Sequence, residues 1–95
     1  MLRVVVADDS VLLREGLVRV ITEAGVDVVG SYGDADSMLA QLEALHPDLI
    51  VLDLGLPDAD GIDVTRGLRE WTDVPIIVLS ARGREADKVL ALLDG

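Results

Sequence analysis

The sequence predicts an α/β domain with a doubly wound parallel sheet, and three observations carry that prediction. Short runs rich in Val, Ile and Leu alternate strictly with stretches of helical periodicity, four of each. Right-handed crossovers between such units put the strands parallel, with helices on both faces. The 95 residues are 51% hydrophobic but only 2% aromatic, so the core must be packed from Val, Leu, Ile and Ala. That is the composition of one small globular domain, residues 1–95, and not of a disordered segment.

Leu2 to Ala7 is a β-branched run of continuous apolarity, which reads as a strand buried on both faces, and it ends on Asp8-Asp9. Ser10 caps the first helix, on which Leu13, Leu17, Val20, Ile21 and Ala24 recur at helical spacing while Arg14, Arg19 and Glu23 point elsewhere. Gly25 ends it in a left-handed conformation. Val26 to Ser31 forms a second strand, weakened by Gly30 and so placed near an edge. Asp34 caps a second helix with Ala35, Met38, Leu39, Leu42 and Leu45 on its buried stripe, closed by His46-Pro47.

The third strand, Leu49 to Leu52, carries Asp53 at its tip, and Gly55 and Pro57 take the chain out of regular structure. Asp60 caps a third helix, Gly61 to Trp71, with Val64, Leu68 and Trp71 on one face. Val74 to Leu79 is a fourth buried strand ending on Ser80-Ala81, with Pro75 tolerated at its start. After a turn at Arg82-Gly83, Ala86, Val89, Leu90 and Leu93 repeat at i, i+3, i+4, i+7 and predict a fourth helix, which Asp94-Gly95 ends.

Charge narrows the function. With 18 acidic and 8 basic residues the formal charge is −10, which argues against nucleic acid or an anionic membrane as direct partner and suits a cation or a basic protein. The absence of cysteine excludes a disulfide framework and thiolate metal sites. No charged-then-apolar leader is present and no apolar run approaches a membrane span, so the expectation is a soluble cytoplasmic chain.

In a parallel sheet the C-terminal ends of all strands share one edge, where ligands bind. Asp8, Asp9, Asp53 and Ser80 therefore converge although distant in sequence. Three carboxylates there would repel one another and resist ionising, a conflict that a divalent cation removes. Oxygen donors in small number suit Mg²⁺, which keeps several waters and completes its octahedron with phosphate oxygens. Taken singly, each element has a plainer reading, Asp53 as a turn cap and Asp8-Asp9 as a prelude to a helix cap.

The stretches VVADDS (5–10), LIVLDLGLPDADG (49–61) and PIIVLSAR (75–82) together resemble the receiver domain of bacterial two-component response regulators, and the resemblance covers the whole chain. It implies the flavodoxin-like fold, here as four βα units in the order 2-1-3-4 with the fifth unit missing. It further implies that Asp53 is the phosphoacceptor, taking a phosphoryl group from a sensor histidine kinase. Asp9 would bind Mg²⁺ directly, Asp8 mainly through water, and the Gly55 carbonyl would add a ligand. Ser80 would be the switch hydroxyl and Ala81 would keep the space beside it open. Such a domain phosphorylates and dephosphorylates itself and is otherwise not an enzyme; its DNA-binding output domain would lie outside this chain.

The departures are equally specific. Receivers carry a lysine before a fifth strand and an aromatic switch residue on it; the only lysine here is Lys88 and the only tyrosine Tyr32, and neither matches those positions. Leu56 replaces a frequent Met. Residues 63–95 are similar to receivers joined to OmpR-type output domains and the first half to those joined to LuxR-type ones, so a truncated or recombined piece is the expectation. Two alternatives stay open. One is an inactive, truncated or engineered receiver-like fragment acting as a folding or assembly module; in the main reading as in this one, the exposed fourth strand predicts a dimer or higher oligomer. The other is a haloacid dehalogenase-type phosphohydrolase, which needs an Asp where Gly55 stands.

Overall fold

The computed structural model describes residues 1–53, 55–82 and 87–93. Among them are strands β1 (Arg3–Ala7), β2 (Asp27–Tyr32), β3 (Leu49–Asp53), β4 (Ile76–Arg82) and β5 (Asp87–Leu93) and helices α1 (Val11–Glu23), α2 (Ala35–Leu45) and α3 (Gly61–Arg69). The sheet order is β2-β1-β3-β4-β5. β1 to β4 are mutually parallel in the predicted order 2-1-3-4.

Side chains alternate across the sheet and divide the core in two. Val5, Ala7, Ile50, Leu52, Ile76 and Val78 face α2 and α3, meeting Met38, Leu42, Val64 and Leu68. Val4, Val6, Val51 and Leu79 face the other way, toward Leu17 and Ile21 of α1. The strands are therefore apolar on both sides because both sides are covered. Coverage is unequal, since α2 and α3 each bury residues fully while α1 buries none. Val20, predicted inward, is exposed. Beside α1 an apolar cleft of about 300 Å³ runs between Leu17, Val20 and Ile21 and the sheet residues Val4, Val51 and Ile77.

Local chemistry sets the ends of the helices. Ser10 Oγ accepts the Leu13 N–H at 3.3 Å and Gly25 follows α1 with φ 86°, both as expected. His46 closes α2 in the left-handed region at φ 48°. There the carbonyl of Leu45 accepts from Arg3 Nη2 at 2.6 Å and Nε at 3.1 Å, tying β1 to the end of α2. Gly30 sits where the β1–β2 register slips, because Val4 faces Val28 whereas Val5 faces Gly30. A Cβ at that bulge would lie 2.7 Å from the Tyr32 ring, so any side chain there would have to displace the ends of Tyr32 and Leu45.

Three expectations are corrected. The segment predicted as a fourth helix forms β5, antiparallel to β4 with Ile76 opposite Leu93 and Arg82 opposite Asp87. A short apolar run such as VLALL satisfies either period, and the unpaired backbone of β4 offers it a full ladder. The fourth-strand edge on which an oligomer was predicted is thereby occupied within the chain. Residues 83–86, 94 and 95, which include Gly83, Ala86 and the Asp94-Gly95 ending, lie outside the described residues. Third, α3 stops at Arg69, and Trp71 is 55% exposed beyond it. Trp71 and Thr72 still bond through their N–H groups to the Leu68 carbonyl in a closing turn, and Arg69 Nη1 donates to the carbonyls of Val74 at 2.7 Å and Thr72 at 3.1 Å, tying the end of α3 to the chain that enters β4.

Candidate functional site

The C-terminal edge of the sheet assembles the acidic residues singled out from sequence. Asp8 follows β1 directly and is fully buried, Asp53 ends β3 with 2% exposure, and Asp9 is exposed. One carboxylate oxygen from each lies within 4.8 Å of the other two. The burial of Asp8 and Asp53 follows from their place beside the central strands, since β1 pairs with β3 up to Ala7 opposite Leu52.

Backbone donors hold the two buried carboxylates. The Ser10 N–H donates to Asp8 Oδ1 at 2.9 Å and the Gly55 N–H to Asp53 Oδ1 at 3.2 Å. Gly55 was singled out for its carbonyl, whereas its described contact with Asp53 is through its N–H. Among the described residues, a Cβ at Gly55 would meet the Asp53 carboxylate, at 3.9 Å.

The cluster fits a small hard cation. Mg²⁺ holds oxygens at about 2.1 Å, so opposite ligands stand about 4.2 Å apart. A spread of up to 4.8 Å is matched when one carboxylate is bridged by water. Three carboxylates and no nitrogen or sulfur donor also favour Mg²⁺ over softer metals. The three residues could thus hold such an ion.

Ser80 and Ala81 stand inside β4 and not beyond it, because the strand runs on to Arg82. Leu79 pairs with Asp53, so the backbone places Ser80 one position past the partner of the central aspartate. Ser80 is in turn opposite Val89 of β5, and Ala81 opposite Lys88.

Two neighbours escaped the sequence. Arg14, predicted to point away, donates from Nη1 to the Asp8 carbonyl at 2.8 Å and so brings a cation to the margin of the acidic cluster. It passes over Gly33, where a Cβ would lie 2.8 Å from Nη1. Asp58 accepts the N–H groups of Ala35 at 2.8 Å and Asp36 at 2.9 Å, linking the β3–α3 loop to the start of α2. These two N–H groups hold its carboxyl below the usual carboxylate range. The spacing of Arg14 from Ser10 could have suggested an inward reach; nothing local marks Asp58.

A parallel sheet of this order with an acidic cluster at its C-terminal edge defines a class, and comparison with known proteins gives the family. The response regulator receiver domain family matches residues 4–95, and the chain belongs to it. The chain is 42% identical over 95 residues to the KDP operon transcriptional regulatory protein KdpE of Escherichia coli strain K12, spanning 97% of this chain and 40% of that one. It is 44% identical over 92 residues to a protein-glutamate methylesterase/protein-glutamine glutaminase of Anaeromyxobacter dehalogenans, spanning 96% of this chain and 27% of that one. Among solved structures, the signal receiver domain of NarL from Mycobacterium tuberculosis superposes with a TM-score of 0.80 at 37% identity, over 90% of this chain and 70% of that one. The chain thus spans two-fifths or less of the curated relatives named here. It is a receiver domain of the two-component response regulator type.

Proposed function

We propose that this receiver is a phosphoacceptor switch and that Asp53 carries the phosphoryl group. The observation that supports it is the convergence of one central, buried aspartate with Asp8 and Asp9 at the edge of a receiver sheet. In this reading residues 1–95 are one receiver domain of a cytoplasmic regulator. An oxygen of the Asp53 carboxylate attacks phosphorus of a phosphohistidine on a sensor kinase. The O–P bond forms as the P–N bond breaks, and the imidazole leaves and takes up a proton. A carboxylate is a weak nucleophile, so alignment and charge neutralisation supply most of the acceleration.

Mg²⁺, held by Asp8, Asp9, Asp53 and the Gly55 carbonyl, would neutralise charge on the phosphoryl oxygens when bound. The chain's own residues fix the geometry. The Gly55 N–H holds Asp53 in one orientation, and the Ser10 N–H does the same for Asp8. Ser80 donates its hydroxyl to the phosphoryl group once that group is present, and Ala81 leaves space beside it. The output belongs to other parts of a longer protein. A DNA-binding domain is the first choice and an enzyme the second, as the names of the two curated relatives suggest.

Intact-mass measurement after incubation with acetyl phosphate and Mg²⁺ tests the reading. Wild type should gain one phosphoryl group, Asp53→Asn none, and Asp9→Ala should be labelled more slowly with weakened Mg²⁺ dependence. Equal labelling of wild type and Asp53→Asn would overturn the assignment.

A further inference from the structure

The loop that follows the central aspartate has to hold Gly55 against Asp53, and glycine cannot do so by itself. Gly55 has no side chain to pack, and its backbone freedom is the greatest of any residue. The path of the loop is therefore set by what anchors it further on. Leu56 is buried in the core cluster that the sheet shares with α2 and α3, which fixes one point. Pro57 restricts the backbone of both itself and Leu56. The next residue, Asp58, is exposed and yet accepts the first two N–H groups of α2 across 22 and 23 residues of sequence. Those two donors have no partner within their own helix by construction. The third, Ser37 N–H, is taken at 2.8 Å by Asp34, which in turn accepts from Ser37 Oγ. The start of α2 is thus closed by two carboxylates, one local and one borrowed from the loop of the functional site.

We propose that Asp58 is a positioning residue that clamps the β3–α3 loop to the N-terminus of α2 and thereby holds the Gly55 N–H on the Asp53 carboxylate. The proposal rests on the reading of Asp53, Asp8 and Asp9 as the Mg²⁺ and phosphoryl site, and it adds a support to that site from a helix that contributes no residue to it. The two bonds run from adjacent amides to the two oxygens of one carboxylate, Oδ1 and Oδ2, which fixes direction as well as distance. A lone Asp in a solvent-facing turn would show neither feature. The charge also sits where the helix dipole favours it, which keeps the carboxylate ionised and the clamp closed at neutral pH.

The test compares Asp58→Ala with Asp34→Ala, since both remove a carboxylate from the start of α2 and only the first cuts the tie to the loop. Amide hydrogen exchange is read at Ala35, Asp36, Ser37 and Gly55, and Mg²⁺ affinity is read by titrating the metal alone. In Asp58→Ala, exchange should speed up at Ala35, Asp36 and Gly55, and Mg²⁺ should bind on the order of tenfold more weakly, as for other supports one step from a ligand. Asp34→Ala should speed exchange at Ser37 and leave Gly55 and Mg²⁺ unchanged. Asp58→Asn keeps one acceptor and should fall between wild type and Ala; it also provides the readout if the Ala variant does not fold. Unchanged Gly55 exchange in Asp58→Ala, or an equal loss of Mg²⁺ affinity in Asp34→Ala, overturns the clamp. Failure of acetyl phosphate to label wild type, with the Gly55 and Mg²⁺ responses as expected, would overturn the phosphoacceptor reading and leave the clamp standing.

Discussion

At the scale of single residues, the side chains that define the site and those that support it differ in how they are encoded. Asp8, Asp9 and Asp53 could be found because each ends an apolar run, and a parallel sheet gathers such ends on one edge. Asp58 could not, because its partners are amides of a helix that lies 22 residues earlier. Its contribution has a definite sign with pH. The Ala35 and Asp36 amides lower its pKa on folding, so between the folded and unfolded values the unfolded chain binds more protons. The stabilisation is therefore complete above the ordinary carboxylate range and is lost as pH falls through that range toward the folded value. Asp34 and Asp36, the carboxylates at the same helix start, are present in both wild type and Asp58→Asn, so the difference between the two isolates Asp58. Urea midpoints should differ most at neutral pH and converge below about pH 4. A constant gap at every pH would mean that the charge of Asp58 plays no part.

At the scale of elements, periodicity succeeded wherever the element is long or its caps are explicit. α1 and α2 start one residue after Ser10 and Asp34, as those residue types require. It failed at Asp87–Leu93, where seven residues satisfy a helical stripe and a strand equally well. What decides between them is not in the segment but in its neighbour, since β4 has one side paired to β3 and the other unpaired unless β5 supplies it. The end predicted at Trp71 overshoots α3 by two residues, because the chain closes there in a turn on the Leu68 carbonyl, a boundary that periodicity does not mark. The β4–β5 pairing makes a direct prediction for solution. Cross-strand NOEs should join Val78 to Ala91 and Leu79 to Leu90, the residues opposite one another in the ladder. Sequential helical NOEs through 87–93 in their place would restore the helix that periodicity predicted.

At the scale of the whole molecule, the sheet order and the edge that carries the site were legible, because alternation and handedness leave few topologies. The balance of cover on the two faces was not, since the stripe of α1 reads as apolar as that of α2. Only the packed structure reveals that Val20 stays exposed and that a cleft opens between α1 and the sheet. That cleft has a calorimetric consequence. Unfolding raises heat capacity in proportion to the apolar surface newly given to water, and a chain of this length ordinarily shows about 1.1–1.4 kcal/mol/K. Here part of that surface, along Leu17, Val20 and Ile77, already borders an open cleft in the folded state. The heat-capacity increment from differential scanning calorimetry should therefore fall below the ordinary range, giving a flatter stability curve than size alone predicts. An increment at or above that range would mean the face beside α1 is as dry in solution as the one beneath α2 and α3.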